Sequence, residues 1–197
     1  VCENTYPKPK MLVLNYPHNP TAMTVDEGFF ETIVDVAKKF NLIVINDFAY
    51  GDTCFDDYQA PSFLSVKGAK DVGVEFSTLS KPYNMAGFRV GFVAGNRKMI
   101  DHLATIKGYY DYGIFQAVQI AGIIALRDCD DFVKQQNKVY QHRRDVICDG
   151  LQKIGWQVEK PRATMFVWAK IPQKHLKGKG TIDYSLELME HAEVAVP

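Results

Sequence analysis

Met11-Leu12-Val13-Leu14 is a short apolar run ending in the Pro- and Asn-rich stretch 15–20, and Leu42-Ile43-Val44-Ile45 is a second such run. Between them Phe29, Ile33, Val36, Ala37 and Phe40 recur at helical spacing. Runs this short, bounded by turn residues, read as buried strands, and the recurrence between them reads as an amphipathic helix. Thr24 followed by Glu27 has the spacing of a capping box and predicts the helix start; Asn41 breaks the pattern. The order strand, loop, helix, strand predicts an α/β fold with a parallel-rich sheet covered by helices, its strands apolar on both faces. Ligands of such sheets gather at the carboxyl ends of strands, and Asn19 and Asp47 both fall just past one.

Further along, strands are expected near Val72–Phe76 and Arg89–Ala94, flanking the segment Ser77–Phe88. Helices follow over Lys98–Tyr109, Phe115–Leu126 and a long polar stretch from Asp131 to Ile154, closed by Gly155. A strand over Thr164–Ile171, an exposed Lys- and Gly-rich loop over Gln173–Gly180 and a helix over Ile182–Ala192 complete the pattern. The late α-then-β material predicts a change of domain near Asp128, with residues 1–127 in a large domain and 128–197 in a small α+β one.

Composition excludes several classes of function. The 197 residues carry 23 basic and 23 acidic side chains, so no net positive field favours nucleic acid or an anionic membrane. No run approaches the roughly 18 apolar residues of a membrane span. Cys2, Cys54, Cys129 and Cys148 are far apart, and the five histidines have no ligand spacing, so neither a zinc site nor any other metal site is expected. Reduced thiols and no visible signal peptide favour a cytoplasmic setting.

The chemistry is concentrated in Thr78-Leu79-Ser80-Lys81-Pro82-Tyr83-Asn84-Met85-Ala86-Gly87-Phe88-Arg89-Val90-Gly91. Hydroxyls at Thr78 and Ser80 and the guanidinium of Arg89 are suited to a phosphate, because arginine offers a planar fork of donors and short hydroxyls complete the coordination. Lys81 between them is a candidate nucleophilic amine. This segment resembles the lysine signature of class I aminotransferases, fold-type I enzymes dependent on pyridoxal 5'-phosphate. It departs from the family pattern at Thr78, usually serine, where a threonine hydroxyl serves equally well. Upstream, Asn19-Pro20-Thr21 resembles the family's Asn-Pro-Thr turn and Asp47-Phe48-Ala49-Tyr50 its Asp-x-Ala-Tyr motif.

The resemblance implies that Lys81 forms the Schiff base and that Asp47 pairs with the protonated pyridine nitrogen. It implies that Tyr50 bonds the phenolic oxygen, that Asn19 lies near that oxygen and the substrate carboxylate, and that Thr78, Ser80 and Arg89 hold the phosphate. It also implies transamination between an amino acid and a 2-oxo acid, in a homodimer. Tyr109–Gly113 and Met165–Pro172 resemble the alanine-forming glutamate–pyruvate transaminases of bacteria, while neighbouring subfamilies act on aspartate, aromatic amino acids or diaminopimelate. Two rival readings remain at this point: a C–S lyase or decarboxylase on the same scaffold, and an aminotransferase-like sensor domain of a transcription regulator.

Family subunits are longer than this chain, so the resemblance implies a fragment. It lacks a phosphate-cradling turn, an aromatic residue that stacks on the ring, and the C-terminal arginine that grips the substrate carboxylate. Each missing charge-assisted hydrogen bond costs on the order of 1.5–3 kcal/mol. The segment purified alone is therefore expected not to turn over. Mixed with pyridoxal phosphate, alanine and 2-oxoglutarate, it should give neither a stable bound-cofactor absorbance nor steady pyruvate formation.

Overall fold

The computed structural model describes residues 2–196. In chain order it contains β1 (Met11–Asn15), α1 (Glu27–Phe40), β2 (Ile43–Asp47), α2 (Ala69–Val72), β3 (Gly73–Thr78) and β4 (Gly91–Gly95). Helices α3 (Arg97–Tyr110), α4 (Gln116–Asp128), α5 (Asp130–Lys153), α6 (Gln173–Leu176) and α7 (Thr181–Ala192) follow. The sheet order is β1-β2-β3-β4. The first three strands are parallel, with Asn15 level with Asp47 and Asp47 level with Phe76. β4 runs antiparallel to β3. The link 79–90 contains only one 3-10 turn, at Ala86–Phe88, and without a crossover helix the chain returns beside the strand it has just left. That return is close: a Cβ on Gly91 would lie 2.6 Å from the Ser77 carbonyl oxygen.

Helix α1 covers one face of the sheet. Its start differs from the expected capping box. Asp26, not Thr24, is the N-cap and accepts from the Phe29 amide at 3.0 Å, while the Thr24 hydroxyl accepts from Arg162. The buried stripe is Phe30, Val34 and Ala37, whereas Phe29, Ile33, Val36 and Phe40 pack around its margin. Asn41 closes the helix in the left-handed conformation, φ 52°. The core joins this stripe to Leu42, Val44, Phe63, Val66 and Ala69. Glu75 also points into this face, accepting from Asn46 Nδ2 at 2.9 Å, the Ser62 hydroxyl at 2.7 Å and the Phe63 amide at 2.8 Å.

The strands are apolar on both faces, as expected, but this chain covers only one of them fully. On the other, Met11, Val13, Ile43 and Phe76 are exposed, Val13 by 64 %. Their side chains alternate with the buried set, as the strand period requires.

Nor is there a strand over Thr164–Ile171. The extended chain pairs only once, in an antiparallel bridge between Ala163 and Cys54. Thr164 then takes a φ of 73° and its hydroxyl accepts from the Phe166 amide at 3.2 Å, which turns the backbone out of register with any neighbour. The loop expected over Gln173–Gly180 holds the single turn of α6.

Helix α5 is fastened to the loop after β2. Arg144, only 5 % exposed along its side chain, engages the Asp56 carboxylate through two nitrogens, donates to the Pro161 carbonyl at 2.8 Å and to Asp145 Oδ1, and lies over the Phe55 ring. The hydrogen bonds from Arg144 hold the Asp56 carboxyl below its ordinary value near 3.8. A carboxyl with a depressed folded pKa contributes stability above its unfolded pKa and loses it as pH falls through the folded one. Asp56→Asn should therefore lower stability by about 1–2 kcal/mol at neutral pH, less than a fully buried pair would lose because Asp56 is half exposed. The difference from wild type should shrink below about pH 4, as measured by urea unfolding across pH.

Candidate active site

Parallel pairing brings the carboxyl ends of β1, β2 and β3 to one edge of the sheet, and a concavity of about 410 Å³ opens there on the exposed face. Val13, Ile45, Ala49 and Phe76 give it apolar walls, and Asp47, Ser77 and Thr78 supply the polar groups. An apolar concavity with a carboxylate and hydroxyls on its lining is of the kind that binds small molecules, its few polar groups fixing their orientation.

Asp47 is the last residue of β2. Its Oδ1 accepts from the Ala49 amide at 3.1 Å, and its carbonyl accepts from Asn15 Nδ2 at 2.9 Å. Asn15 also accepts from the Asn19 amide at 2.8 Å through its Oδ1. Asn15 thus ties the Asn19 turn to the end of β2, a role the motifs did not reveal. The signal was present: Asn15 is a polar residue closing an apolar strand, directly level with Asp47. His18 braces the same turn, its Nδ1 2.6 Å from the Thr21 hydroxyl.

Beyond β3 the chain folds into a compact turn. The Tyr83 and Met85 amides donate to the carbonyl of buried Leu79, at 3.3 and 3.4 Å. Thr78 Oγ1 lies 2.9 Å from Ser80 Oγ and 3.1 Å from the Val90 carbonyl, and accepts from the Ser80 amide at 3.1 Å. The two hydroxyls therefore sit side by side. Lys81, half-buried, makes no ion pair or hydrogen bond among the described residues; its Nζ is 5.5 Å from the centroid of the Tyr50 ring. Tyr50 is 3 % exposed, and its other ring contact is an edge-to-face one with Phe166, centroids 5.5 Å apart.

The structure thus groups Asp47 with Thr78 in the concavity, Ser80 with Thr78, Lys81 with Tyr50, and Asn19 with Asp47 through Asn15. Arg89 stands apart. It is exposed, with φ 53°, and its guanidinium donates to the Ala86 carbonyl at 2.9 Å; only its neighbour Val90 meets Thr78. Other reactive groups are poorly placed for catalysis. Burial pushes the Cys54 thiol up to about 11, leaving it protonated at neutral pH. No group of three or more His, Cys, Asp or Glu residues among those described could hold a metal ion. No helix among them is long and apolar enough to cross a membrane.

Known proteins resemble this arrangement along almost the whole chain. The family model described as aminotransferase class I and II matches residues 2–197. Glutamate–pyruvate aminotransferase AlaC of Escherichia coli K12 is 47 % identical over 192 residues, which cover 98 % of this chain and 46 % of that protein. An LL-diaminopimelate aminotransferase of Nitratidesulfovibrio vulgaris is 45 % identical over 195 residues, covering 98 % of this chain and 49 % of its own. Among solved structures, apo-BacF of Bacillus subtilis superposes with a TM-score of 0.91 at 36 % identity, covering 98 % of this chain and 50 % of that one. The chain therefore spans about half the length of the relatives it matches.

The hydroxyl pair makes a local prediction that needs no ligand. Thr78→Val removes the acceptor of the Ser80 amide while keeping the side-chain volume. Exchange of that amide with deuterium should accelerate by roughly fivefold, the equivalent of about 1 kcal/mol, with little change at Leu79, whose amide donates to Val90.

Proposed function

We propose, from the premise that this chain belongs to the aminotransferase class I and II family, that it carries the amine and ring-binding residues of an enzyme moving an amino group from an amino acid to a 2-oxo acid. Members of the family use pyridoxal 5'-phosphate. The observation that carries the reading is the Lys81 amine, unpaired and half-buried over the Tyr50 ring, one residue beyond the Thr78 and Ser80 hydroxyl pair.

The residues present fit that cofactor. Asp47, in the lining of the slot, would face its ring nitrogen and hold the proton there. The Tyr50 hydroxyl, which has no hydrogen-bond partner among the described residues, is a donor for its phenolic oxygen. Thr78, Ser80 and Arg89 would take the phosphate, Arg89 by turning its guanidinium from the Ala86 carbonyl. Asn19, fixed through Asn15, would serve that phenolic oxygen and the substrate carboxylate. When bound, the cofactor supplies an electron-withdrawing ring that stabilises negative charge on the neighbouring substrate carbon. Lys81 then acts as the base and acid that moves the proton at that carbon.

The names of the relatives favour glutamate with pyruvate, which in reverse is alanine with 2-oxoglutarate, as the first choice of substrates, and LL-diaminopimelate as the next donor. Exposed Tyr109, Tyr110, Tyr112 and Phe115 provide an aromatic surface consistent with a homodimer, and four free thiols accord with a cytoplasmic setting. The break between α4 and α5 at Cys129 supports a domain boundary near residue 128.

In the protein that carries this chain, borohydride reduction should fix the cofactor covalently to Lys81, located by peptide mass. Lys81→Ala should lose both that label and the alanine–2-oxoglutarate reaction; a variant that keeps both refutes the assignment. Asp47→Ala should still bind cofactor yet turn over about 10²–10⁴-fold more slowly, within the range of a lost acid–base contribution.

A further inference from the structure

We propose that Phe166 is a positioning residue for Tyr50: it fixes the ring whose face holds the Lys81 amine. This rests on the reading of Lys81 and Tyr50 as the working pair of the site. A tyrosine as buried as this one normally anchors its hydroxyl with a hydrogen bond. The Tyr50 hydroxyl has no such partner among the described residues and is not one of their buried unpaired atoms, so it opens to solvent and does not set the ring orientation. Packing sets it, and the aromatic partner is Phe166, edge to face at 5.5 Å and 66°. Lys81 Nζ is likewise 5.5 Å from the centroid of the same ring.

Phe166 is not placed there by loose contact. The segment that carries it is stitched to the loop that carries Tyr50. The Thr164 amide donates to the Thr53 carbonyl, and the Phe55 amide donates to the Arg162 carbonyl, both at 2.8 Å. Arg144 bonds Asp56 on the one segment and the Pro161 carbonyl on the other. Thr164 is 1 % exposed and holds a φ of 73°, a conformation that a β-branched residue adopts only where its surroundings dictate it. Its hydroxyl accepts from the Phe166 amide, so the strained residue directly sets the direction in which Phe166 leaves the backbone. Tyr50 and Phe166 therefore share one frame, and the Lys81 amine lies against the ring that this frame carries.

The test needs no cofactor. With 3-fluorotyrosine incorporated, the Tyr50 ring gives a fluorine resonance whose splitting reports slow ring flipping, assigned by Tyr50→Phe. Phe166→Leu should speed the flipping and merge the lines. It should also raise acetylation of Lys81, relative to exposed Lys98, by roughly 2- to 5-fold as the ring face that attracts the ammonium is withdrawn. Phe166→Tyr, which keeps the edge contact, should restore both. If Phe166→Leu does not fold, Phe166→Met carries the same comparison. An unchanged Tyr50 resonance in the aliphatic variant, or a Phe166→Tyr variant that behaves like it, overturns the proposal. Neither readout depends on transamination, so a failure of the Lys81 labelling experiment and a failure here are separable.

Discussion

Parallel pairing of three strands is the constraint on which the rest of this structure depends. Because β1, β2 and β3 point the same way and Asn15, Asp47 and Phe76 lie level, every residue just past a strand end arrives at one edge. Residues far apart in sequence then need no long reach to meet. Asn15 spans from the Asn19 turn to Asp47, and the turn after β3 brings Lys81 against Tyr50. The antiparallel return of β4 adds the Val90 carbonyl that anchors the hydroxyl of Thr78. The site is a product of topology before it is a product of side-chain chemistry.

A second layer of order comes from the far end of the chain. Arg144 sits almost out of water, which is tolerated because its donors engage two carboxylates and a carbonyl. Burial raises the carboxyl of Asp145, but hydrogen bonds from Arg144 and Lys160 outweigh it and the net shift is downward. The same network draws α5, the loop after β2 and the segment around Ala163 into one body, so residues on both sides of the long helices shape the environment of Tyr50.

Strands and helices were legible in the sequence wherever periodicity was strong and local. The apolar runs at 11–14 and 42–45 became β1 and β2, and the long polar helix begins and ends within a residue of its expected bounds. The misreadings have a common cause in tertiary contacts. Thr24 has the right spacing for a cap, but Arg162, distant in sequence, claims its hydroxyl and Asp26 caps α1 instead. Thr164–Ile171 has strand composition, yet Thr164 bends the chain away after a single bridge. Motifs singled out Asp47, Lys81 and the hydroxyl pair, which the fold places near the carboxyl ends of β2 and β3. They assigned nothing to Asn15 and no contact to Phe166, although it lies in the stretch Met165–Pro172, because the contacts of both exist only once the fold brings them to other residues.

The buried carboxylate of Glu75 has a consequence for how β3 is seated. Its three donors come from β2 and from the turn at residues 62–63, so they are available at only one longitudinal position of the strand. Sliding β3 by two residues would preserve the alternation of side chains but leave an anion in the apolar layer with nothing to answer it. Glu75 therefore works as a key in a lock, indexing β3 so that Phe76 stops level with Asp47 and Thr78 arrives one pleat beyond it, neither further along nor short of that place.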